Sequence, residues 1–294
     1  MEFLRPTSMA EALAAKLEYP GALPITGGTD VMVEMNFDRQ RPTALIDLTG
    51  IPELAQWDTD DGRIRIGAAV TYSRIIGELG DRLPGLAMAA RTIGSPQIRN
   101  RGTVGGNLGA ASPAGDSHPA LLAADATIEL QSEQGSRMVA AEKFYLGVKR
   151  NAARSDELIS AIHLTPPSGP QQFSKIGTRN AMVISVAAFG LALHPDRKEV
   201  RTGVGSVAPT PRRAYEAETF LAAALDEAGL WESRDALPDG LGDEFGQRVS
   251  AAASPIDDVR GTAAYRLHSL AVMARRALDW AWSDYRRPSD VGKD

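Results

Sequence analysis

Two pairs of adjacent glycines, each at a predicted turn, constrain this sequence more than any other feature. The first pair lies in Thr-Gly-Gly-Thr-Asp at residues 26–30, and the second in Thr-Val-Gly-Gly-Asn at residues 103–107. Glycine has no Cβ atom, so its backbone adopts positive φ angles and brings main-chain N–H groups close to a ligand. Such N–H groups bind anions, and phosphates above all. Either pair alone is typical of a tight turn, but together they favour a site that holds a diphosphate.

The segments around both pairs favour the same interpretation. Residues 23–26 form a short predicted strand before the first pair, and Thr29 with Asp30 is suited to begin a helix. The second pair lies within residues 98–116, which contain five glycines and show little periodicity. A connection of that length without secondary structure is more often a binding loop than a spacer.

Asp116 ends this loop, and its sequence context allows two interpretations. Prolines and a glycine stiffen residues 111–119, which present Ser112 and Asp116 at fixed positions. The Asp116 carboxylate would accept hydrogen bonds from the ribose or ribityl hydroxyls of a cofactor. Alternatively, it would cap the short buried helix predicted at residues 119–124.

Hydrophobic periodicity predicts a mixture of helices and strands in two domains. Helices are predicted at 8–18, 71–79, 83–92 and 119–124, within 213–225 and at 262–287; strands at 44–48, 63–66, 126–131, 157–164, 172–176, 181–193 and 199–207. In the first helix, Met9, Leu13 and Leu17 form the predicted apolar face. The Pro-Pro-Ser-Gly-Pro run at 166–170 is the strongest linker, so we expect one domain at 1–169, with lobes of about 1–50 and 51–169, and a second at 170–294.

Composition excludes several functions. The chain has 294 residues, 43% of them apolar, and a net charge of −5, which is typical of a globular protein without an affinity for nucleic acid. It has no cysteine, so it carries no disulfide, cysteine nucleophile or iron–sulfur cluster of its own. No apolar run approaches the roughly 18 residues of a membrane span, and the amino terminus does not resemble a secretion signal. We therefore expect a cytoplasmic protein.

Other patterns in the sequence do not define a catalytic centre. Gly-Val-Gly-Ser-Val-Ala at 203–208 resembles a dinucleotide fingerprint, but prolines follow and no helix begins there, so a strand end is expected. Ser112, Asp116 and His118 are too close in one loop to act as a triad. The four histidines do not have metal-ligand spacing, and no Walker lysine loop is present. We predict neither catalytic residues nor a metal site in this chain.

Three segments resemble a known family. Residues 26–30, Gln-Ile-Arg-Asn-Arg-Gly-Thr-Val-Gly-Gly-Asn-Leu at 97–108 and Ala-Ser-Pro-Ala-Gly-Asp at 111–116 closely resemble the FAD-binding subunit of the molybdenum hydroxylases. That family includes the medium subunits of aerobic carbon monoxide dehydrogenase and the flavin domain of xanthine dehydrogenase. The similarity continues through 173–175, 205–211 and 265–278, and so covers nearly the whole chain in the family's order.

The resemblance implies an α+β protein. Its FAD-binding domain would have the two-subdomain fold of the vanillyl-alcohol oxidase (PCMH-like) type, followed by a smaller α+β domain with a three-stranded antiparallel sheet. By position, the first turn would hold the diphosphate from one side, and the second turn would approach the diphosphate and the ribityl chain from the other. Asp116 would lie near the flavin sugar chain, Ile159 beside the flavin and Lys175 near the isoalloxazine. The implied FAD-binding residues are Ile25, Thr26, Gly27, Gly28, Thr29, Asp30, Thr103, Val104, Gly105, Gly106, Asn107, Ser112, Asp116, Ile159 and Lys175.

The resemblance also implies a function that needs other chains. FAD would take electrons from [2Fe-2S] clusters of a small subunit, next to a large subunit with the molybdopterin cofactor, and pass them to an external acceptor. Such complexes would pair as dimers of heterotrimers. Two alternatives stay open, a stand-alone FAD-dependent oxidase or reductase and a scaffold that has lost FAD. Three residues depart from the family pattern: Thr26 replaces a usual Ala, Val104 a common Ile, and Val183 a frequent Asp near the expected flavin edge.

Overall fold

The computed structural model describes residues 1–287, and within them it contains twelve α-helices and thirteen strands. The helices are α1 (Met9–Glu18), α2 (Val31–Asn36), α3 (Tyr72–Glu78), α4 (Pro84–Thr92), α5 (Pro96–Arg101), α6 (Val104–Ala110), α7 (Ser117–Ala123), α8 (Ala141–Phe144), α9 (Tyr215–Glu227), α10 (Leu230–Ser233), α11 (Leu241–Ala251) and α12 (Ala263–Arg286). The strands are β1 (Glu2–Leu4), β2 (Leu23–Ile25), β3 (Ala44–Asp47), β4 (Trp57–Asp60), β5 (Arg63–Gly67), β6 (Thr127–Ser132), β7 (Gly135–Ala140), β8 (Tyr145–Gly147), β9 (Arg150–Asn151), β10 (Leu158–Leu164), β11 (Gln171–Ile176), β12 (Ala187–His194) and β13 (Glu199–Gly205). Residues 288–294 of the predicted second domain lie outside the described residues.

A small parallel sheet of order β1-β3-β2 begins the fold and carries the first glycine turn at the end of β2. Helix α1 covers it, and the hydroxyl of Ser8 accepts a hydrogen bond from the Glu11 amide, which confirms the predicted helix start. The predicted apolar face is wrong at Leu17, whose side chain is 54% exposed. Lys16 is buried in its place, because its ammonium donates to the Ala22 carbonyl at 2.6 Å.

A five-stranded antiparallel sheet of order β4-β5-β10-β6-β7 forms the centre of the first half of the chain. Its buried side chains, with those of α3, α4, α6 and α7, build one continuous apolar core that includes Ile66, Leu108 and Ile162. The second glycine turn lies at the start of α6. Packing of α6 and α7 against this core therefore fixes residues 103–116, where seven of the fifteen predicted site residues lie.

The third sheet, of order β11-β12-β13, is antiparallel and confirms the predicted three-stranded sheet. Strand β12 is buried along its whole length. It begins at Ala187, later than predicted, because residues 178–185 form no regular strand. A Cβ built on Gly190 would lie 2.7 Å from the Pro119 carbonyl oxygen, so this glycine allows α7 to pack directly on the sheet. The sequence at 203–205 is the end of β13, as predicted.

Two further predictions of secondary structure are wrong. Residues 98–116 contain α5 and α6 and are not one continuous loop. The chain does not finish with two helices only, since α10 and α11 lie between α9 and α12. The α+β class itself is confirmed. None of the helices within residues 1–287 has the length and apolar character needed to cross a membrane.

Candidate functional site

The two glycine turns lie against each other, although more than seventy residues separate them in sequence. The Thr26 and Thr103 hydroxyls form a hydrogen bond at 2.9 Å. A Cβ built on Gly27 would lie 1.9 Å from the carbonyl oxygen of Arg101, immediately before the second turn. Gly106 faces the same junction, because a Cβ there would lie 3.3 Å from the Thr26 hydroxyl. The structure therefore brings residues 26–29 and 101–106 into one site.

The first turn offers unpaired main-chain donors. Within residues 1–287, the amides of Gly27, Gly28 and Thr29 donate to no other protein atom. Gly28 has a φ of 72°, a left-handed conformation that glycine adopts without strain. Successive amides at a turn of this kind bind anionic oxygens. Asp30 begins α2 but makes no side-chain hydrogen bond that caps it.

The second turn differs from what its sequence suggested. The Val104 amide donates to the Val70 carbonyl at 3.3 Å, the Gly105 amide to the Ala68 carbonyl at 3.0 Å, and the Gly106 amide to the Thr103 hydroxyl at 3.0 Å. These amides are thus paired within the protein and do not point outward. Gly105 meets a packing requirement instead, since a Cβ there would lie 2.5 Å from the Ala68 Cβ. The polar groups left for a ligand are the Thr103 hydroxyl and the Asn107 side chain.

Asn107 belongs to a buried chain of polar side chains that the sequence did not reveal. Its Oδ1 accepts a hydrogen bond from the Ser117 hydroxyl at 2.7 Å, and Ser117 in turn accepts one from the Tyr72 hydroxyl at 3.1 Å. Ser117 and Tyr72 are both buried. No motif marks either residue, and only the position of Ser117 next to Asp116 hints at a role.

Asp116 and Lys175 form a buried ion pair that joins the second glycine-rich segment to β11. The Lys175 ammonium lies 2.5 Å from Asp116 Oδ2, and the two side chains are 8% and 9% exposed. Ser185 donates to Asp116 Oδ1, and the Thr92 hydroxyl lies 3.4 Å from Oδ2. Burial raises the pKa of the Asp116 carboxyl, and the nearby Lys175 opposes that rise. The carboxylate makes no hydrogen bond that caps α7, so the capping interpretation is wrong.

The remaining predicted residues line the same region. Ile25 ends β2, and its side chain would lie 3.5 Å from a Cβ on Gly28. Ile159 lies where the pairing of β10 with β6 shifts register, and its side chain would lie 3.9 Å from a Cβ on Gly109 in α6. The Ser112 hydroxyl accepts from the Ala114 amide at 3.3 Å and so shapes the loop before Asp116.

His118 lies below this loop, and among residues 1–287 it has no carboxylate partner that would make it a catalytic base. Its Nδ1 pairs with the Tyr145 hydroxyl at 2.9 Å, while Asp116 pairs with Lys175. Burial lowers the pKa of the His118 imidazole to about 3, so the ring is neutral at ordinary pH. The side chains of Ser112, Asp116 and His118 therefore do not form a nucleophile–base pair.

The fold and the joined turns define an α+β protein whose first turn offers unpaired amides to an anionic ligand, and comparison with known proteins identifies its family. A family model for the FAD binding domain in molybdopterin dehydrogenase matches residues 1–167, and one for the CO dehydrogenase flavoprotein C-terminal domain matches residues 172–281. The putative xanthine dehydrogenase FAD-binding subunit of Escherichia coli (strain K12) is 30% identical over 290 residues, which cover 94% of each chain. The carbon monoxide dehydrogenase medium chain of Afipia carboxidovorans is 31% identical over 288 residues, 95% of this chain and 96% of the relative.

Solved structures give the same result. A chain of the reconstituted CO dehydrogenase from Oligotropha carboxidovorans superposes with a TM-score of 0.88 at 30% identity, over 97% of this chain and 98% of that one. This chain belongs to the family of FAD-binding flavoprotein subunits of molybdopterin dehydrogenases. The resemblance drawn from the sequence is confirmed, and so is the FAD-binding fold with its smaller second domain.

The residues present fit that cofactor. The unpaired amides of Gly27, Gly28 and Thr29 suit the oxygens of a diphosphate, and a side chain at Gly27 or Gly106 would press into the junction between the turns. Asn107 adds a side-chain amide on the other side of the junction. Lys175 adds the one ammonium group of the predicted set, held in place by Asp116 and the Thr92 carbonyl.

Proposed function

We propose that this chain holds FAD in the cleft between its two glycine turns and carries electrons between a partner's [2Fe-2S] clusters and an external acceptor. The contact between the turns is the observation that carries this proposal. Bound FAD accepts electrons singly or in pairs, which suits a carrier between one-electron and two-electron partners. The protein's own contribution is to bind and orient the flavin.

Each group of the site has a distinct part in that binding. The amides of Gly27, Gly28 and Thr29 would donate to the diphosphate oxygens. Thr26 and Thr103 share one hydrogen between their hydroxyls, so one of the two hydroxyl hydrogens stays free to donate to the ligand. Asn107 would donate through its amide nitrogen.

Asp116 has a different role from the one its position in the family implies. Both of its carboxylate oxygens already accept hydrogen bonds, Oδ2 from Lys175 and Oδ1 from Ser185. We therefore infer that Asp116 positions the Lys175 ammonium, and that this ammonium contacts the flavin. The buried location strengthens this ion pair, because solvent screens it little.

We further propose that the native enzyme has three kinds of chain: this one, a [2Fe-2S] small subunit and a molybdopterin large subunit, paired as a dimer of heterotrimers in the cytoplasm. The relatives are described as FAD subunits or medium chains of larger enzymes, which supports the existence of partners. Within this chain, we place the boundary between the FAD-binding domain and the C-terminal domain at residues 169 and 170.

Affinity purification of the tagged chain from its native cells tests the proposal. We expect two further chains to copurify, with molybdenum, iron and the absorbance of an oxidised flavin. A preparation without both metals contradicts the electron-transfer function. Turnover of a small substrate by the isolated yellow chain would favour a stand-alone oxidase or reductase instead.

A further inference from the structure

Two buried polar side chains, Tyr72 and Ser117, and the half-buried Asn107 form a directed chain of hydrogen bonds behind the second glycine turn. The Tyr72 hydroxyl lies 3.1 Å from the Ser117 hydroxyl, which lies 2.7 Å from Asn107 Oδ1. Tyr72 is 2% exposed and Ser117 is fully buried. Two of these three residues belong to no predicted site, and the proposed function alone does not explain them.

The direction of this chain follows from the rule that buried donors need acceptors. Within residues 1–287, the Tyr72 hydroxyl has no hydrogen-bond partner other than Ser117. Tyr72 must therefore give its hydrogen to Ser117, because the opposite direction would leave a buried donor unsatisfied. Burial also raises the pKa of the Tyr72 hydroxyl, so the proton stays in place at every ordinary pH.

The direction of the first bond determines the second. Once Ser117 accepts from Tyr72, its own hydrogen points to Asn107, and that position must be an acceptor, the carbonyl oxygen Oδ1. Gly115 packs against the Oδ1 end of the same amide, since a Cβ on Gly115 would lie 3.0 Å from Asn107 Oδ1. The amide nitrogen of Asn107 then faces away from Ser117, and within residues 1–287 it donates to no protein atom.

We propose that Tyr72 and Ser117 are positioning residues that hold the Asn107 side chain with its N–H groups toward the cofactor cleft. A free asparagine amide presents either its oxygen or its nitrogen, and only the nitrogen can donate to the oxygens of a phosphate, which the amide oxygen would repel. The hydrogen bonds from Tyr72 through Ser117 to Asn107, which we call the relay, fix the orientation of the amide before the ligand binds. Less of the binding free energy is then lost in ordering the Asn107 side chain. This inference rests on the proposed binding of FAD.

A double-mutant cycle in the full chain tests it. The FAD-free protein is titrated with FAD, and flavin fluorescence reports the Kd of the wild type, Ser117→Ala, Tyr72→Phe, Asn107→Ala and the two double variants with Asn107→Ala. We expect Ser117→Ala to raise the Kd about fivefold and Tyr72→Phe about threefold, the loss typical of one oriented hydrogen bond. In the Asn107→Ala background both effects should vanish, because no amide remains to be oriented.

The outcomes separate this inference from the proposed function. If Ser117→Ala or Tyr72→Phe raises the Kd by the same factor with and without Asn107, or leaves it unchanged in the wild type, the relay has no positioning role. If the wild-type chain binds no FAD, the proposed function fails and this inference fails with it. Thermal unfolding of each FAD-free variant shows whether it is folded, and Tyr72→Phe, which keeps the ring, completes the cycle if Ser117→Ala does not fold.

Discussion

Replacing Gly27 with alanine tests directly whether the contact between the two turns creates the binding site. The new Cβ would lie 1.9 Å from the Arg101 carbonyl oxygen and 2.5 Å from its carbon, well inside van der Waals contact. Both atoms belong to the backbone, so no side chain can rotate away, and the turns must separate. Overpacking of this kind costs about 1–3 kcal/mol. If the whole of that free energy destabilises the conformation in which the two turns are in contact, the Kd for FAD rises about 5-fold to 150-fold.

The assay is titration of the FAD-free full chain with FAD, followed by flavin fluorescence, with thermal unfolding to show that the variant is folded. Gly77→Ala is the matched control. Gly77 lies in α3, where a Cβ would meet no atom within 4 Å, and alanine there should stabilise the helix by up to about 1 kcal/mol. We expect this control to bind FAD like the wild type. If Gly27→Ala binds FAD as tightly as the control does, the contact between the turns does not form the site.

Three further predictions concern the hydroxyl pair, the buried ion pair and the buried histidine. Thr26→Val removes the hydrogen bond to Thr103 and should raise the Kd for FAD about threefold to tenfold, while Thr26→Ser should keep it near the wild-type value; equal losses in both variants would contradict the assignment. Lys175→Met leaves the Asp116 carboxylate buried without its partner and should lower the free energy of unfolding in urea by about 3–5 kcal/mol, whereas combining it with Asp116→Asn should recover much of that loss. The pKa of His118 is about 3 in the folded chain and 6.5 as a free group, so the unfolded chain binds the extra proton and stability falls as pH drops below 6.5. Between pH 7.5 and pH 5 this loss is about 2 kcal/mol, and urea unfolding of His118→Phe should show a correspondingly flatter pH profile.

Local sequence signals predicted the elements whose ends and faces are encoded within a few residues. Ser8 caps α1 and Thr262 caps α12, and each hydroxyl accepts from an amide three residues later, as the sequence pattern indicates. The strand at 44–48 and the three strands after residue 170 were also recognisable from apolar runs. Strand β12 began later than predicted, because apolar residues before Ala187 continue the run without joining the sheet.

Helices α6 and α11, which each contain more than one glycine, could not be predicted in this way, because tertiary packing outweighs their poor helix propensity. Helix α11 includes Gly242 and Gly246, which weaken the periodic signal. A Cβ at Gly246 would lie 2.5 Å from the Ala271 carbonyl oxygen, so the close approach of α11 and α12 requires glycine there. Helix α6 presents the same case, with Gly105 packed on Ala68. In both helices the glycine is required by contact with a segment that is distant in sequence. A local sequence pattern contains no information about such a contact.

The candidate site likewise combines features that the local sequence encodes with features that depend on residues distant in sequence. The glycine motifs and Asp116 were visible in the sequence, but the part each plays depends on neighbours that are distant in sequence. Asp116 could be a ligand or a cap until Lys175 and Ser185, which the second domain contributes, were seen to occupy its oxygens. Asn107 could present either end of its amide until Ser117 was placed beside it.

The C-terminal sheet therefore takes part in the site although the glycine turns lie outside it. Lys175 on β11 reaches Asp116, and Asp116 immediately precedes Ser117, whose hydroxyl orients Asn107. A ligand that binds only when these groups are in place stabilises their packing as well, because binding and packing are thermodynamically linked. FAD should thus protect the junction between β11 and α4, where Lys175 donates to the Thr92 carbonyl, from local unfolding. Slower hydrogen exchange of the β11 amides on addition of FAD would support this linkage. Unchanged exchange at saturating FAD would show that FAD binding is not coupled to the packing of the C-terminal sheet.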